Sequence, residues 1–118
     1  MKRVCEELGV GFVAPLWSRD PLEVTREVVE AGYRVVVVGV FAHGMGAEWL
    51  GRTLDGDALR ELSRLHETWK ISPCGEGGEF ETLAVEGPLF KRKLVVRKAL
   101  FHFDIDRGYV RVLEAGLE

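Results

Sequence analysis

The hydrophobic positions change period along the chain, and each change predicts an element. Val4 and Leu8 stand four apart ahead of Gly9, which reads as the end of a helix with a glycine stop. Residues 10–17 form an apolar stretch that predicts a buried strand, closed by a Trp17-Ser18-Arg19-Asp20 turn. Asp20, Pro21 and Glu23 together carry three helix-start signals: a cap, a proline suited to the first helical position, and a capping-box carboxylate. Leu22, Val24, Val28 and Ala31 give that helix an apolar side, and Gly32 ends it.

Residues 33–40 are an almost unbroken β-branched run. Such runs belong to strands covered on both faces, which are typically parallel. Strand, helix and strand within about 30 residues predict a βαβ unit with a right-handed crossover. A loop with Gly44, Gly46 and Gly51 follows, and Asp57 is the expected cap of a second helix. Its Leu59, Leu62, Leu65 and Trp69 form one stripe. Beyond Ile71 the pattern turns to short strands at 80–85, 93–96, 100–105 and 109–113. Glu86-Gly87-Pro88 and Asp106-Arg107-Gly108 supply turns between them. The predicted fold class is α/β: a βαβ unit with parallel strands, then a smaller antiparallel β portion, in a single domain spanning 1–118.

Composition narrows the function classes. The chain has 118 residues, 47% apolar and 30% charged, enough for a core without staples and too apolar for disorder. A net charge of −3 argues against general nucleic-acid binding, which needs a basic surface. No apolar run approaches the roughly 20 residues of a membrane span, and the first residues turn acidic before any signal-peptide core forms. Cys5 and Cys74 are far apart and make no metal or redox motif, so a reduced cytoplasmic protein is the expectation. The absence of Asn and Gln, with 11 Arg against 5 Lys, fits a thermophilic protein.

The densest chemical signal is Gly75-Glu76-Gly77-Gly78-Glu79-Phe80-Glu81-Thr82. Its glycines let backbone approach a ligand closely, and its three carboxylates repel one another unless a cation or donor sits among them. By composition it reads either as a solvated acidic turn opening a strand or as a loop that accepts a cation or holds a substrate. A second candidate, residues 42–52, follows the end of the valine-rich strand. There Arg52 offers a fork of donors to a carboxylate or phosphate, and Trp49 packs on a ligand or closes the core. His43 reads as surface, His66 and His102 as structural residues, and Cys74 has no base fixed beside it. No P-loop pattern and no Gly-x-Gly-x-x-Gly fingerprint follows a strand.

Taken together, Val37-Val38-Gly39-Val40, Glu48-Trp49-Leu50-Gly51-Arg52, the glycine–glutamate segment and Gly87-Pro88-Leu89-Phe90 resemble the C-terminal half of the diphthine–ammonia ligase family, N-type ATP pyrophosphatases of the PP-loop superfamily. The resemblance runs over roughly residues 1–98. It implies a cytoplasmic amide-forming step in diphthamide synthesis on elongation factor 2, in which ATP activates the diphthine carboxylate as an acyl-adenylate. Ammonia then displaces AMP, and pyrophosphate is the other product. ATP and Mg2+ are thus the implied cofactors, yet the family's Ser-Gly-Gly-x-Asp-Ser phosphate loop has no counterpart in this chain. Residues 1–17 are then expected to be the remnant end of a nucleotide-binding domain, and catalysis to need a separate nucleotide-binding chain.

On this resemblance Glu76, Glu79 and Glu81 are the candidate catalytic residues. Trp49, Arg52, Gly75, Gly77, Gly78, Phe80 and Thr82 are the candidate substrate-binding ones. A trimethylammonium group favours aromatic faces and carboxylates, so Trp49 and Phe80 with Glu79 or Glu81 are assigned a cage. Glu76 is assigned ammonium, and Arg52 the diphthine carboxylate or adenylate charge. No metal site is expected. The partners expected are diphthine-bearing elongation factor 2, a nucleotide-binding chain and further copies of the chain, with no nucleic acid and no membrane. The alternative reading is a non-catalytic binding or assembly module that keeps the fold without ATP chemistry.

Overall fold

The computed structural model describes residues 1–118. Its elements are α1 (Lys2–Leu8), α2 (Pro21–Glu30), β1 (Arg34–Val40), a 3-10 turn (Ala47–Trp49), α3 (Gly56–Trp69), β2 (Phe80–Glu86), β3 (Leu94–Asp104) and β4 (Arg107–Leu117). The α/β class holds. Three helices accompany one four-stranded sheet, ordered β2-β1-β4-β3.

The expected parallel pairing does not form. Both neighbours of β1 run antiparallel to it, and so do β3 and β4. Residues 10–17 are turn and irregular chain rather than a strand, so no βαβ crossover exists. Val10, Val13 and Trp17 are exposed, and no strand pairs with this segment. On the side away from β2, β1 is already taken by residues 51–54. Val37 N–H donates to the Arg52 carbonyl (2.9 Å), Gly51 N–H to that of Val37 (2.8 Å) and Leu54 N–H to that of Val35 (2.9 Å).

The caps follow local chemistry. Gly9 stops α1 in the left-handed conformation, and Asp20 caps α2 by accepting from Leu22 N–H at 3.3 Å, with Pro21 first in the helix. For α3 the cap is Asp55, which accepts from Ala58 N–H, and Asp57 lies inside the first turn. Both aspartates satisfy the sequence rule, and the earlier one has the extended backbone a cap requires.

Helices α2 and α3 cover one face of β1 and β2. The core there joins Val35, Val37 and Val40 of β1 to Leu54, Ala58, Leu62, Ile71 and Phe80, with Met45, Trp49 and Leu50 at one end. The β3–β4 hairpin is continuous over 11 residues in each strand, where several shorter strands were expected. It turns through Ile105 and Asp106 and pairs with β1 only at Gly39↔Tyr109 and Val40↔Gly108, with Phe101 packed against Gly51 and Val110 against the core. Gly108 permits that junction: a Cβ there would stand 2.5 Å from the His102 carbonyl oxygen and 3.0 Å from the Leu50 side chain.

The resulting body is open. Its radius of gyration is 16.4 Å, against about 13.5 Å for a compact domain of this length. The hairpin and residues 1–19 account for the difference, since both carry large exposed apolar side chains and α1 buries none.

Candidate functional site

The chain entering the glycine–glutamate segment is tied to the middle of α2 at Thr25. Thr25 is buried on the apolar side of α2, with its hydroxyl 3.0 Å from the Pro73 carbonyl oxygen and 3.1 Å from that of Pro21. One proton serves both acceptors, so the side chain ties helix to loop. Gly75 and Gly78 then turn the loop, each at positive φ, through Gly75 N–H to the Ser72 carbonyl and Gly78 N–H to the Gly75 carbonyl, both at 3.0 Å. Gly75 is doubly required: φ is +70°, and a Cβ would stand 2.8 Å from the Phe80 carbonyl oxygen.

The three glutamates are not brought together. Glu79 turns inward, where one carboxylate oxygen accepts from Ser72 N–H and the other is buried without a partner. Its carboxylate also fills the space that a Cβ on Gly77 would occupy, so Glu79 and Gly77 shape the loop jointly. Glu81 is exposed on β2, opposite Gly39, on the face away from Phe80 and Thr82. Glu76 alone reaches a cavity, and the Ser72 hydroxyl lies 3.4 Å from its carboxylate.

That cavity measures about 400 Å3 and lies between α2 and β2. Phe80, Thr82 and Cys74 line it with Glu76, beneath Val24, Val28 and Leu16. Among the lining residues Glu76 is the one acid and Arg19 the one base. Arg19 is already paired with Glu27 at 2.8 Å. The hydrogen bond between them raises the Arg19 pKa and lowers that of Glu27, with their mutual attraction adding to both shifts. The cavity is thus apolar, with a free carboxylate at its edge and its cation neutralised.

Trp49 and Arg52 stand elsewhere. The Trp49 ring is buried in the core at 3% exposure, with the Arg52 guanidinium 4.4 Å from its centroid. Arg52 also pairs with Glu61 of α3, which leaves its fork engaged within the chain. Trp49 offers no open ring face, and it borders a separate shallow cavity with Glu48, Glu61 and Arg64. Trp49 and Phe80 therefore do not form one aromatic cage: Phe80 faces the α2–β2 cavity and Trp49 does not. The histidines behave as structural residues. His66 Nδ1 lies 3.1 Å from the Ile71 carbonyl, His102 stacks on Tyr109, and His43 packs edge-on against Trp69.

Sequence reasoning missed Thr25, Ser72 and Arg19. Thr25 carried a legible signal, a lone hydroxyl on the apolar side of a helix, whereas Ser72 and Arg19 lie in irregular chain that carries no period.

A family model for the diphthamide synthase C-terminal domain matches residues 20–117. The chain belongs to that family. Its similarity extends to proteins named diphthine–ammonia ligase: 33% identity over 114 residues in Schizosaccharomyces pombe, 35% over 97 in Rattus norvegicus and 34% over 125 in Homo sapiens. These matches take in 95%, 81% and 100% of this chain, but 19%, 36% and 46% of the respective relatives. The chain thus spans less than half the length of these relatives. The matched region contains the whole α2–β2 cavity except its Leu16 and Arg19 edge. No helix of this family member is long and apolar enough to cross a membrane.

Proposed function

We propose that the chain is the substrate-side portion of an ATP-dependent amide ligase of the diphthine–ammonia type. In that reaction ATP converts the diphthine carboxylate to an acyl-adenylate with loss of pyrophosphate, and ammonia displaces AMP to form the amide. The observation that carries the reading is the convergence of Glu76 and Phe80 on one apolar cavity whose only cation is neutralised by Glu27. A quaternary ammonium has no N–H to donate and is held by aromatic and apolar surface beside a carboxylate. The valines of α2 supply most of the surface, Phe80 closes the cavity floor from the core at 4% exposure, and Glu76 supplies the charge. Glu76 thereby takes the cationic group, Glu79 holds the loop in shape, and Glu81 has no part in the cavity.

The residues present do not fit magnesium and nucleotide phosphates. No three acidic, histidine or cysteine side chains cluster closely enough to hold a metal ion. The N-termini of α2 and α3 are capped by carboxylates, which repel phosphate. This portion therefore binds and orients the diphthine end of elongation factor 2, while a nucleotide-binding chain supplies the phosphate site.

The test is AMP release from ATP with magnesium, ammonium and diphthine-bearing elongation factor 2, using this chain alone and paired with a chain carrying the phosphate loop. The expected result is AMP from the pair only, abolished by Glu76→Gln. No AMP from folded chains that bind each other would favour a non-catalytic binding module. Wild-type rates with Glu76→Gln would remove the cavity from the mechanism.

A further inference from the structure

We propose that Ser72 is a positioning residue: its hydroxyl holds the Glu76 carboxylate at the edge of the α2–β2 cavity. The inference rests on the reading of Glu76 as the group that takes the cation. Ser72 does not itself line the cavity, but Cys74 and Glu76, which do, both lie against its hydroxyl. Ser72 Oγ stands 3.5 Å from Cys74 Sγ and 3.4 Å from Glu76 Oε1. An ionised carboxylate only accepts, so the hydroxyl proton goes to Glu76. The thiol is left to donate its own proton to Ser72 Oγ. A short chain thus runs from the Cys74 S–H through the Ser72 O–H to the Glu76 carboxylate.

Positioning needs a donor that is itself held, and the Ser72 backbone is held from both sides. Its N–H donates to the Glu79 carboxylate, and its carbonyl accepts from Gly75 N–H at 3.0 Å. Ile71 before it is buried, at 2% exposure, and the Pro73 carbonyl after it accepts from the Thr25 hydroxyl at 3.0 Å. Glu76 has none of this support. It is exposed between Gly75 and Gly77, on a long side chain whose rotamers are all open to it in solvent. Without the hydroxyl the carboxylate spreads over those rotamers, and the cavity edge carries its charge for only part of the time. Glu79 thereby acts on the cavity at one remove, through the Ser72 backbone that it fixes.

Side-chain NMR couplings of Glu76 in the unliganded chain test the proposal apart from any activity. The expected result is one dominant χ1 rotamer in the unmodified chain, averaging in Ser72→Ala, and recovery in Ser72→Thr, which keeps a hydroxyl. Ser72→Ala leaves the N–H to Glu79 in place, so the Gly75 and Gly78 amide shifts should hold and report an intact loop. Titration with tetramethylammonium chloride then reads the consequence at the loop amides. Ser72→Ala should weaken binding by about threefold to tenfold, the range of one hydrogen bond, with Ser72→Thr close to the unmodified chain. Averaged Glu76 couplings in the unmodified chain overturn the proposal, a result that needs no variant to fold. So does a Ser72→Ala chain that keeps the single rotamer, or one that binds the cation as tightly as the unmodified chain while Glu76→Gln loses it. If the unmodified chain and Glu76→Gln are alike indifferent to the cation, the reading of the cavity falls. A single rotamer lost in Ser72→Ala then still supports Ser72 as the group that holds Glu76.

Discussion

Thr25→Val isolates the contact that seats the glycine–glutamate loop. The side chain is 7% exposed, and its hydroxyl is 3.0 Å from the Pro73 carbonyl oxygen. Valine keeps the shape but removes the donor, so no cavity is created and the effect is that of the lost hydrogen bond. A buried acceptor left unpaired costs about 1–3 kcal/mol. For a chain of this length that corresponds to a fall of roughly 4–12 °C in Tm. Differential scanning calorimetry measures the loss, and amide exchange locates it. The Gly75 and Gly78 amides, which close the loop, should lose protection ahead of the core of α3. Thr25→Ser keeps the hydroxyl and should recover most of the loop protection. A valine variant as stable as the parent, with unchanged exchange at Gly75 and Gly78, would refute the view that this hydroxyl positions the loop.

Four other outcomes follow from the geometry. Gly75→Ala should destabilise the chain by about 1–3 kcal/mol in urea unfolding, because it adds a Cβ at φ +70° against the Phe80 carbonyl. Glu79→Ala should lower stability by about 1–3 kcal/mol by leaving Ser72 N–H unpaired, whereas exposed Glu81→Ala should stay within about 0.5 kcal/mol in the same assay. Leu62→Ala, at a fully buried position of α3, should cost about 3–5 kcal/mol by calorimetry. Carboxyl NMR should place the Glu27 titration below the ordinary glutamate value. Its contribution to stability is present above the unfolded pKa and disappears as pH falls through the depressed folded one, and Arg19→Ala should abolish the shift.

Residues with local causes were the legible ones. Gly9 and Asp20 act at the helix ends where their side-chain chemistry places them, and the valines of β1 form a strand as expected. The strand direction was not legible, because a continuous valine run reports two apolar faces without saying what covers them. Residues 10–17 are as apolar as a strand, yet no edge of β1 or β2 takes them up. At the site, the spacing of Glu76, Glu79 and Glu81 suggested one cluster. Loop turns at Gly75 and Gly78 and the pleat of β2 send the three carboxylates in separate directions. Arg52 read as a free anion fork because its partner, Glu61, lies on a helix whose docking only the folded chain reveals.

The narrow junction at Gly39 and Tyr109 has a consequence for how the molecule assembles in time. The β3–β4 hairpin is closed by a turn between neighbouring residues, so it can form early and alone, on the microsecond scale of hairpins. Its attachment to β1 must instead bridge about 70 residues of chain, with the entropy of a long loop to overcome and only two strand pairs, with the packing of Phe101 and Val110, to reward it. Docking of the hairpin is thus the late, high-contact-order event, and its release the first to be seen on heating. Until it docks, Val36 and Val38 lack the neighbours that Phe101 and Val112 give them and are open to any passing strand, so late closure at Gly108 lengthens the time during which the chain can misassemble.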